Sequence, residues 1–439
     1  MRPVKPALPL AALLAGLCTS PWAAARGVAH AGPMWGPVPL EFIFFAAVLA
    51  GVAMAHAQAL KIAAGGALFI ALYKVLQSPF DTGPGLAGLV GHLGHEWVVL
   101  SNLLLLLLGF ALLARHFEDS HLPALLPAVL PGQWKGCFGL LALVFVLSAL
   151  LDNIAAAMIG GAMANTVFKG RVHIGYLAAI VAASNAGGSG SVLGDTTTTM
   201  MWIAGVPATE VLEAYIAASV ALLVFGIPAA LKQQAFSPIQ SHATPGTRID
   251  RARLGVVAFI LVAAVVVNVV VNTRFTAQAG DYPFLGAAVW AALLLAMPLR
   301  APDWSQLPAA FKGAVFLLSL VLCASMMPVE QLPPATWLST LALGFLSAVF
   351  DNIPLTALAL KQGGYDWGFV AYAVGFGGSM IWFGSSAGVA LASMFPQARS
   401  VGLWLRHGWF VPVAYVVGFF VLLAVQGFQP GTVLKGAAP

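Results

Sequence analysis

Leu147-Ser148-Ala149-Leu150-Leu151-Asp152-Asn153-Ile154 returns late in the chain as Leu346-Ser347-Ala348-Val349-Phe350-Asp351-Asn352-Ile353, with six of the eight residues identical and an offset of 199 residues. Further on, Gly187-Gly188-Ser189 pairs with Gly377-Gly378-Ser379, and Gly194 with Gly384, at an offset of 190. Two motifs in one order at nearly one offset mark an internal repeat whose second copy has the shorter loop. Each Asp-Asn pair interrupts an apolar stretch. If Gly136–Leu151 crossed a membrane completely, Lys169 and Arg171 would lie on the far side. If the chain dips in, turns at Asp152-Asn153 and returns through Ile154–Asn165, both cations stay on the cytoplasmic side, as the positive-inside rule requires. A polar turn at membrane depth is tolerated only in a hairpin shielded by protein.

The membrane itself follows from composition. Of 439 residues 60% are hydrophobic and 8% charged, with mean hydropathy +0.92. A soluble domain carries about a quarter charged residues. Apolar runs of bilayer-spanning length recur along the whole chain. The net charge of +5 does not indicate nucleic acid, because the cations sit in short loops between apolar runs rather than on one face. Cys18, Cys137 and Cys323 are scattered and imply neither a disulfide framework nor a metal motif.

Residues 1–25 read as a signal peptide: Arg2 and Lys5, the apolar run Ala7–Leu17, then Ala23-Ala24-Ala25. The other reading is an uncleaved first helix. Cleavage puts the mature N-terminus outside the inner membrane. Spans at Leu40–His56, Ile62–Gln77 and Trp97–Ala114 then place Lys61, Arg115 and Lys135 inside, and the Lys/Arg-free loop Ser78–His95 outside. After the first hairpin, Ile174–Ala183 starts outward, breaks at Ser184–Ser191 and resumes through Gly194–Thr199, a discontinuous helix. Val211–Leu231 returns to a polar linker, 232–253, on the cytoplasmic side. The second half mirrors the first: Leu254–Asn272, Pro283–Leu299, Ala314–Val329, a hairpin Trp337–Gln362 tipped by Asp351-Asn352, a helix from Trp367 broken at Gly375–Ser379, and Gly408–Gln426. Arg26, Lys74, Arg274, Lys361 and Lys435 are the cations this layout leaves outside. The expected fold is therefore an all-α polytopic membrane protein of two inverted repeats, 40–231 and 254–428, with re-entrant hairpins and discontinuous helices. In such folds the substrate site lies near the bilayer midplane, where broken helices meet.

Asp152, Asp195 and Asp351 are the acidic residues this layout buries within membrane segments. A charge there costs roughly 3 kcal/mol, so such residues are functional candidates. Each could instead cap a helix start. A small hard cation such as sodium takes oxygen ligands, and Asn153, Ser184, Asn185, Thr196, Thr197, Asn352, Ser379 and Ser385 supply them beside backbone carbonyls freed by the breaks. Sodium held through Asp152, Asp195 and Asp351 is the expected cargo. Desolvation favours the protonated carboxyl, so proton and cation compete for one group, which suffices for antiport. The Thr196–Thr199 run could equally serve helix packing. His56, His92, His95, His116, His121 and His173 fall at span ends or in loops and suggest solvated side chains. No Gly-x-x-x-x-Gly-Lys loop is present, and no nucleophile–base pair or resident cofactor is expected. Three acidic groups favour a cation over an anionic substrate by Coulomb repulsion.

Ser184-Asn185-Ala186-Gly187-Gly188, followed by Gly194-Asp195-Thr196-Thr197-Thr198-Thr199-Met200-Met201-Trp202, resembles the NhaD-type sodium/proton antiporters of the ion transporter superfamily, which have a citrate-transporter-like domain. The Asp-Asn tips and Gly384-Ser385-Ser386-Ala387-Gly388 fit as well, and the resemblance covers about Leu40 to Gly427. It implies two hairpins, two broken helices, a homodimer and elevator-style alternating access. Carried over by position, Asp152, Asn153, Asp195, Thr197, Asp351 and Asn352 would bind cation and proton. The second repeat has Ser385 where the first has Asp195, which makes the site asymmetric. Within the superfamily the alternative is an organic-anion (citrate or dicarboxylate) or arsenite carrier. Dicarboxylate carriers have Ser-Asn-Thr at hairpin tips and arsenite carriers tend to Gly-Asp-Pro after the break, where this chain has Asp-Asn and Gly-Asp-Thr.

Overall fold

A computed structural model describes residues 32–36, 38–55, 58–122, 130–239, 248–275, 278 and 281–431. The expected leader, the middle of the linker (240–247), His56 and Lys435 lie outside the described residues. Leu40–Met54 (α1), Ala59–Gln77 (α2) and Gly85–Glu118 (α3) open the chain. The first hairpin is Gln133–Ser148 (α4) and Asn153–Val167 (α5). Ile174–Ser189 (α6) and Thr196–Ile203 (α7) are the halves of a broken helix, followed by Ala208–Leu212 (α8) and Ala214–Phe236 (α9). The second half comprises Arg251–Arg274 (α10), Phe284–Ala296 (α11), Leu307–Ser325 (α12), the hairpin Trp337–Ser347 (α13) and Asn352–Gln362 (α14), and the broken pair Trp367–Gly377 (α15) and Ser386–Met394 (α16). Val401–His407 (α17) and Phe410–Gln426 (α18) end it. One departure from all-α is a two-residue strand pair, Met34–Trp35 with Val38–Pro39.

Among the described residues, Ala59–Gln77, Gly85–Glu118, Ala208–Phe236, Arg251–Val271 and Trp304–Ser325 are long and apolar enough to cross a membrane. Val401–Gln426 adds a sixth span if its two helices, bent by 59°, count as one. The outer faces of these helices carry exposed apolar side chains, such as Leu68 and Leu72 on α2 and Phe259, Val262 and Val266 on α10. Such a surface is stable against lipid and not against water.

Two helices form the centre. Every residue of α6 from Gly175 to Ser189, and all of α15, is buried. A helix buried all round must be apolar or small on every face, and α6 is mostly alanine, glycine and serine. Small residues let neighbouring backbones approach closely. α6 packs on α4, α5 and α9, α15 packs on α13, α14 and α18, and α6 and α15 touch each other. The short halves cross over, α5 against α16 and α14 against α7. Outside this core, α12 packs on α2, α3 and α14.

The glycines of the repeat motifs are where the backbones meet. A Cβ on Gly187 would stand 2.0 Å from the carbonyl oxygen of Phe145, and one on Gly377 2.2 Å from that of Gly344. A Cβ on Gly188 would stand 2.6 Å from the Gly194 oxygen, and one on Gly378 2.7 Å from the Gly384 oxygen. The hydroxyl of Ser148 donates to the Ser184 carbonyl at 2.5 Å, and that of Ser347 to the Val374 carbonyl at 2.7 Å. Each pair repeats at the two sequence offsets.

Several expected boundaries need correction. Ser184–Ser189 is helical, and the chain breaks at 190–195 instead. Gly375–Gly377 is helical too, with the break at 381–385 after a 3-10 turn, Gly378–Met380. The reason is that these glycines serve close approach between helices, not chain reversal. The expected loop Ser78–His95 is a loop only to Pro84. Beyond it Leu86, Leu89, Val90 and Leu93 sustain a helix. α12 begins seven residues before Ala314, with Pro308 in its first turn. Gly187→Ala or Gly377→Ala should therefore destabilise the protein by at least about 1–3 kcal/mol through overpacking. Gly402→Ala, with open space at its Cβ, should be neutral or slightly stabilising. Melting temperatures of the detergent-purified variants check this.

Candidate functional site

The two hairpin tips and the two helix breaks place their polar groups together at the crossing of α6 and α15. Asp195 is the N-cap of α7. Its Oδ1 accepts from the Thr197 amide at 3.3 Å, and its Oδ2 accepts from the Asn352 side chain at 3.3 Å, a bond reaching from one repeat to the other. Asn185 makes the other crossing, donating from Nδ2 to the hydroxyls of Ser379 and Ser385 at 3.0 Å each. Its Oδ1 accepts from Asn153 Nδ2 at 3.2 Å. Asn153, Asn185, Asp195, Asn352, Ser379 and Ser385 are all buried.

The helix-start positions bear out capping for two of the three carboxylates. Asp351 Oδ1 accepts from the Ile353 amide at 3.1 Å, while its Oδ2 accepts from the Ser386 hydroxyl at 3.3 Å. Asp152 holds the same position at the start of α5 without making a cap hydrogen bond. One oxygen each on Asp195 and Asp351 thus faces away from its own helix.

Asp152 and Asp195 line one cavity of about 330 Å³, together with Thr196 and Thr199, between the hairpin tip, α3 and α12. Apolar walls come from residues such as Leu103, Leu107 and Leu317, and the far end reaches Arg115, Glu118 and Gln306. These last three, which the sequence reading did not single out as site residues, carry no local motif. Only the packing of α3 on α12 brings them to the cavity. Arg115 does not oppose the carboxylates freely, because Glu118, Asp119 and Asp303 lie 3.2, 3.2 and 3.4 Å from its guanidinium. Asp351 stands apart in a pocket of about 70 Å³ lined by Leu49, Val52, Phe316, Leu320 and Phe383. Among the described residues no three acidic, histidine or cysteine side chains group as a metal cluster.

The threonine run divides by role. Thr198 Oγ1 donates to the carbonyls of Ser191 and Asp195, and Thr199 Oγ1 to those of Val192 and Asp195, at 2.6 to 2.9 Å. They satisfy backbone freed by the break. Thr197 is fully buried, and its hydroxyl lies beside the Asp195 carboxylate without a hydrogen bond of good geometry among the described residues. Thr196 borders the cavity. Ser184 and Ser189 donate their hydroxyls back onto their own helix, to the carbonyls of Val181 and Ala186.

Fold and site together define a multi-pass helical membrane protein with a polar crossing of broken helices at its core. No protein-family model matches the chain. Curated relatives do. The chain is 25% identical over 331 residues to a protein named Sodium/proton antiporter 1 from Arabidopsis thaliana, covering 65% of this chain and 54% of that protein. It is 27% identical over 330 residues to the Na(+)/H(+) antiporter NhaD of Alkalimonas amylolytica, 65% of this chain and 67% of that one. It is 27% identical over 376 residues to the NhaD of Vibrio parahaemolyticus, 73% of this chain and 88% of that one. The chain thus spans about half the length of the plant relative. These similarities support the NhaD-type sodium/proton antiporter resemblance that its motifs carry.

Thr198→Val and Thr199→Val should each lower stability by about 1 kcal/mol, since they take the side-chain donor from the part-buried carbonyls of Ser191 and Val192 respectively. Thr197→Val, nearly isosteric, should leave the melting temperature close to that of the parent. Thermal melts of the three purified variants separate these outcomes.

Proposed function

We propose that this protein exchanges sodium or lithium for protons across the inner membrane as a secondary transporter and not an enzyme. The observation that carries the reading is the pair of carboxylates, Asp152 and Asp195, on one cavity between two broken helices. Two acids in an apolar cavity whose one nearby cation is held by other carboxylates attract a cation and repel an anion. The superfamily alternative of an anion carrier has no comparable support, and the relatives are named as antiporters.

In this mechanism the site is held by weak internal bonds that a cation replaces. Asn352 donates to Asp195 Oδ2 at a long 3.3 Å, and sodium would displace that donor and take the carboxylate oxygen. The Thr197 hydroxyl, buried without a hydrogen bond of good geometry, supplies a further oxygen beside it. A proton arriving on Asp195 or Asp152 removes the charge that holds the cation, so that each displaces the other. The breaks at 190–195 and 381–385 free further carbonyls from helical pairing. Asn153, Asn185, Ser379 and Ser385 form the hydrogen-bonded frame around this centre.

Inverted repeats, re-entrant hairpins, a homodimer and alternating access belong to the same proposal. The repeated motifs, the glycine–backbone contacts recurring at the repeat offsets, and the exchange of α5 with α16 and α7 with α14 support it. In everted vesicles holding a pH gradient, added sodium should dissipate the gradient. Asp152→Asn and Asp195→Asn should abolish the response. Thr197→Val should raise the half-saturating sodium concentration on the order of tenfold, the size of one lost polar ligand. Uptake of labelled citrate or succinate with no response to sodium would sink the proposal.

A further inference from the structure

At the opposite end of α3 and α12 from the cavity, three helices converge on the C-terminus of α12. Lys361, on α14, donates from Nζ to the carbonyls of Ser325 at 2.7 Å and Met327 at 2.6 Å, and lies 2.9 Å from Asp81 in the α2–α3 turn. Lys74, on α2, donates to the intervening carbonyl of Met326 at 3.0 Å and sits over the Phe80 ring at 5.2 Å. His92, on α3, is 3.0 Å from the Ser325 hydroxyl. The last carbonyls of a helix have no partner within it and carry the negative end of its dipole. Two ammonium groups on three successive carbonyls answer both needs. The same arrangement accounts for Lys74 and Lys361 being among the cations that the charge pattern leaves outside.

We propose that Lys361 is a latch that holds the end of the molecule remote from the cavity closed, by tying the hairpin arm α14 to the end of α12. The inference rests on the transport reading only in taking closure to be one stage of alternating access. Three observations carry it. First, the cavity is lined by the first three turns of α12 and the last turns of α3, while the latch occupies the other ends of the same helices. The protein is open at one end and stitched at the other. Second, Lys361 sits nine residues along α14 from Asn352, about 14 Å of rigid helix, so the arm that touches Asp195 also carries the latch. Movement at one is movement at the other. Third, the latch is stronger on one side: at the 199-residue offset the counterpart of Lys361 is Ala162, an exposed residue with no charge, and at the 190-residue offset it is Arg171, which reaches a single helix-terminal carbonyl, that of Phe236, at 3.4 Å. The larger cavity lies at the tip of the first hairpin.

The carbonyls, more than the ion pair, hold the latch. Asp81 is 57% exposed, and an ion pair at such a site contributes little. The charge-assisted bonds to Ser325 and Met327 are short and shielded, which makes them the stronger term.

The test measures accessibility in membranes, on a background with the natural cysteines replaced by alanine. Ala111→Cys reports the cavity, and Ala357→Cys reports the buried contact of α14 with the α12 cluster. With Lys361 intact, a membrane-impermeant thiol reagent should modify position 111 readily and position 357 slowly. Lys361→Met should raise the rate at 357 on the order of tenfold and lower the rate at 111. Lys361→Gln, which keeps one donor, should give a smaller change in the same direction, and Asp81→Asn the smallest. Unchanged rates at both positions in folded Lys361→Met protein overturn the latch. If that variant does not fold, unchanged rates in Lys361→Gln do the same. The readout needs no sodium response: labelling shifts without any sodium-driven flux would remove the antiport reading and leave the latch standing.

Discussion

A helix that breaks inside an apolar core exposes backbone groups that neither lipid nor bulk water can satisfy, and each one left bare costs several kcal/mol. The way this protein meets that constraint sets most of its structure. At the first break the freed carbonyls of Ser191 and Val192 accept from Thr198 and Thr199, the Ala149 carbonyl accepts from the Ser191 hydroxyl, and Gly187 accepts from Tyr215. The hairpin is pinned to the broken helix through Ser148 and Ser184. The polar residues of the motifs are thus largely structural, and what remains for a ligand is small: the outward oxygens of Asp195 and Asp351, each held by one long 3.3 Å bond from Asn352 or Ser386, the carboxylate of Asp152 and the hydroxyl of Thr197. The site is the remainder of the hydrogen-bond balance.

The two halves share a frame and differ in chemistry. Serine-to-carbonyl ties and glycine-to-backbone approaches recur in both, because any hairpin packed on a broken helix needs them. Asp195 has only Ser385 as its counterpart, and both cap a following helix, Ser385 through the Gly388 amide. A hydroxyl and a carboxylate are equivalent as caps and opposite as charge carriers. Keeping the cap while changing the charge leaves both acids of the large cavity in the first half of the chain, and Asp351, hydrogen-bonded to Ser386, beside a pocket of apolar side chains.

The repeat, the hairpin tips and the membrane setting were legible in the sequence because they rest on composition and on identical residues at fixed offsets. Helix boundaries were less so, for a definite reason. Gly187-Gly188 and Gly375–Gly377 look like breakers to local reasoning, yet a glycine that admits a neighbouring carbonyl within 2.0 to 2.2 Å of its absent Cβ is a packing residue in a continuous helix. Only the partner backbone, 42 residues away at Phe145 or 33 away at Gly344, distinguishes the two uses. The division of labour within Thr196–Thr199 was hidden likewise, since four identical side chains acquire different roles from where the carbonyls of the break fall.

The cations show the same limit from the other side. A charge census counts Lys74 and Lys361 as exceptions to a topology rule, and Arg115 as an ordinary cytoplasmic anchor. In the folded chain each is consumed by a specific set of oxygens: helix-terminal carbonyls for the two lysines, three carboxylates for the arginine. A cation whose field is cancelled locally neither opposes a neighbouring acid nor marks a side of the membrane. The cation nearest the cavity is therefore partly offset by its own carboxylate partners, which leaves Asp152 and Asp195 less opposed than the sequence suggests.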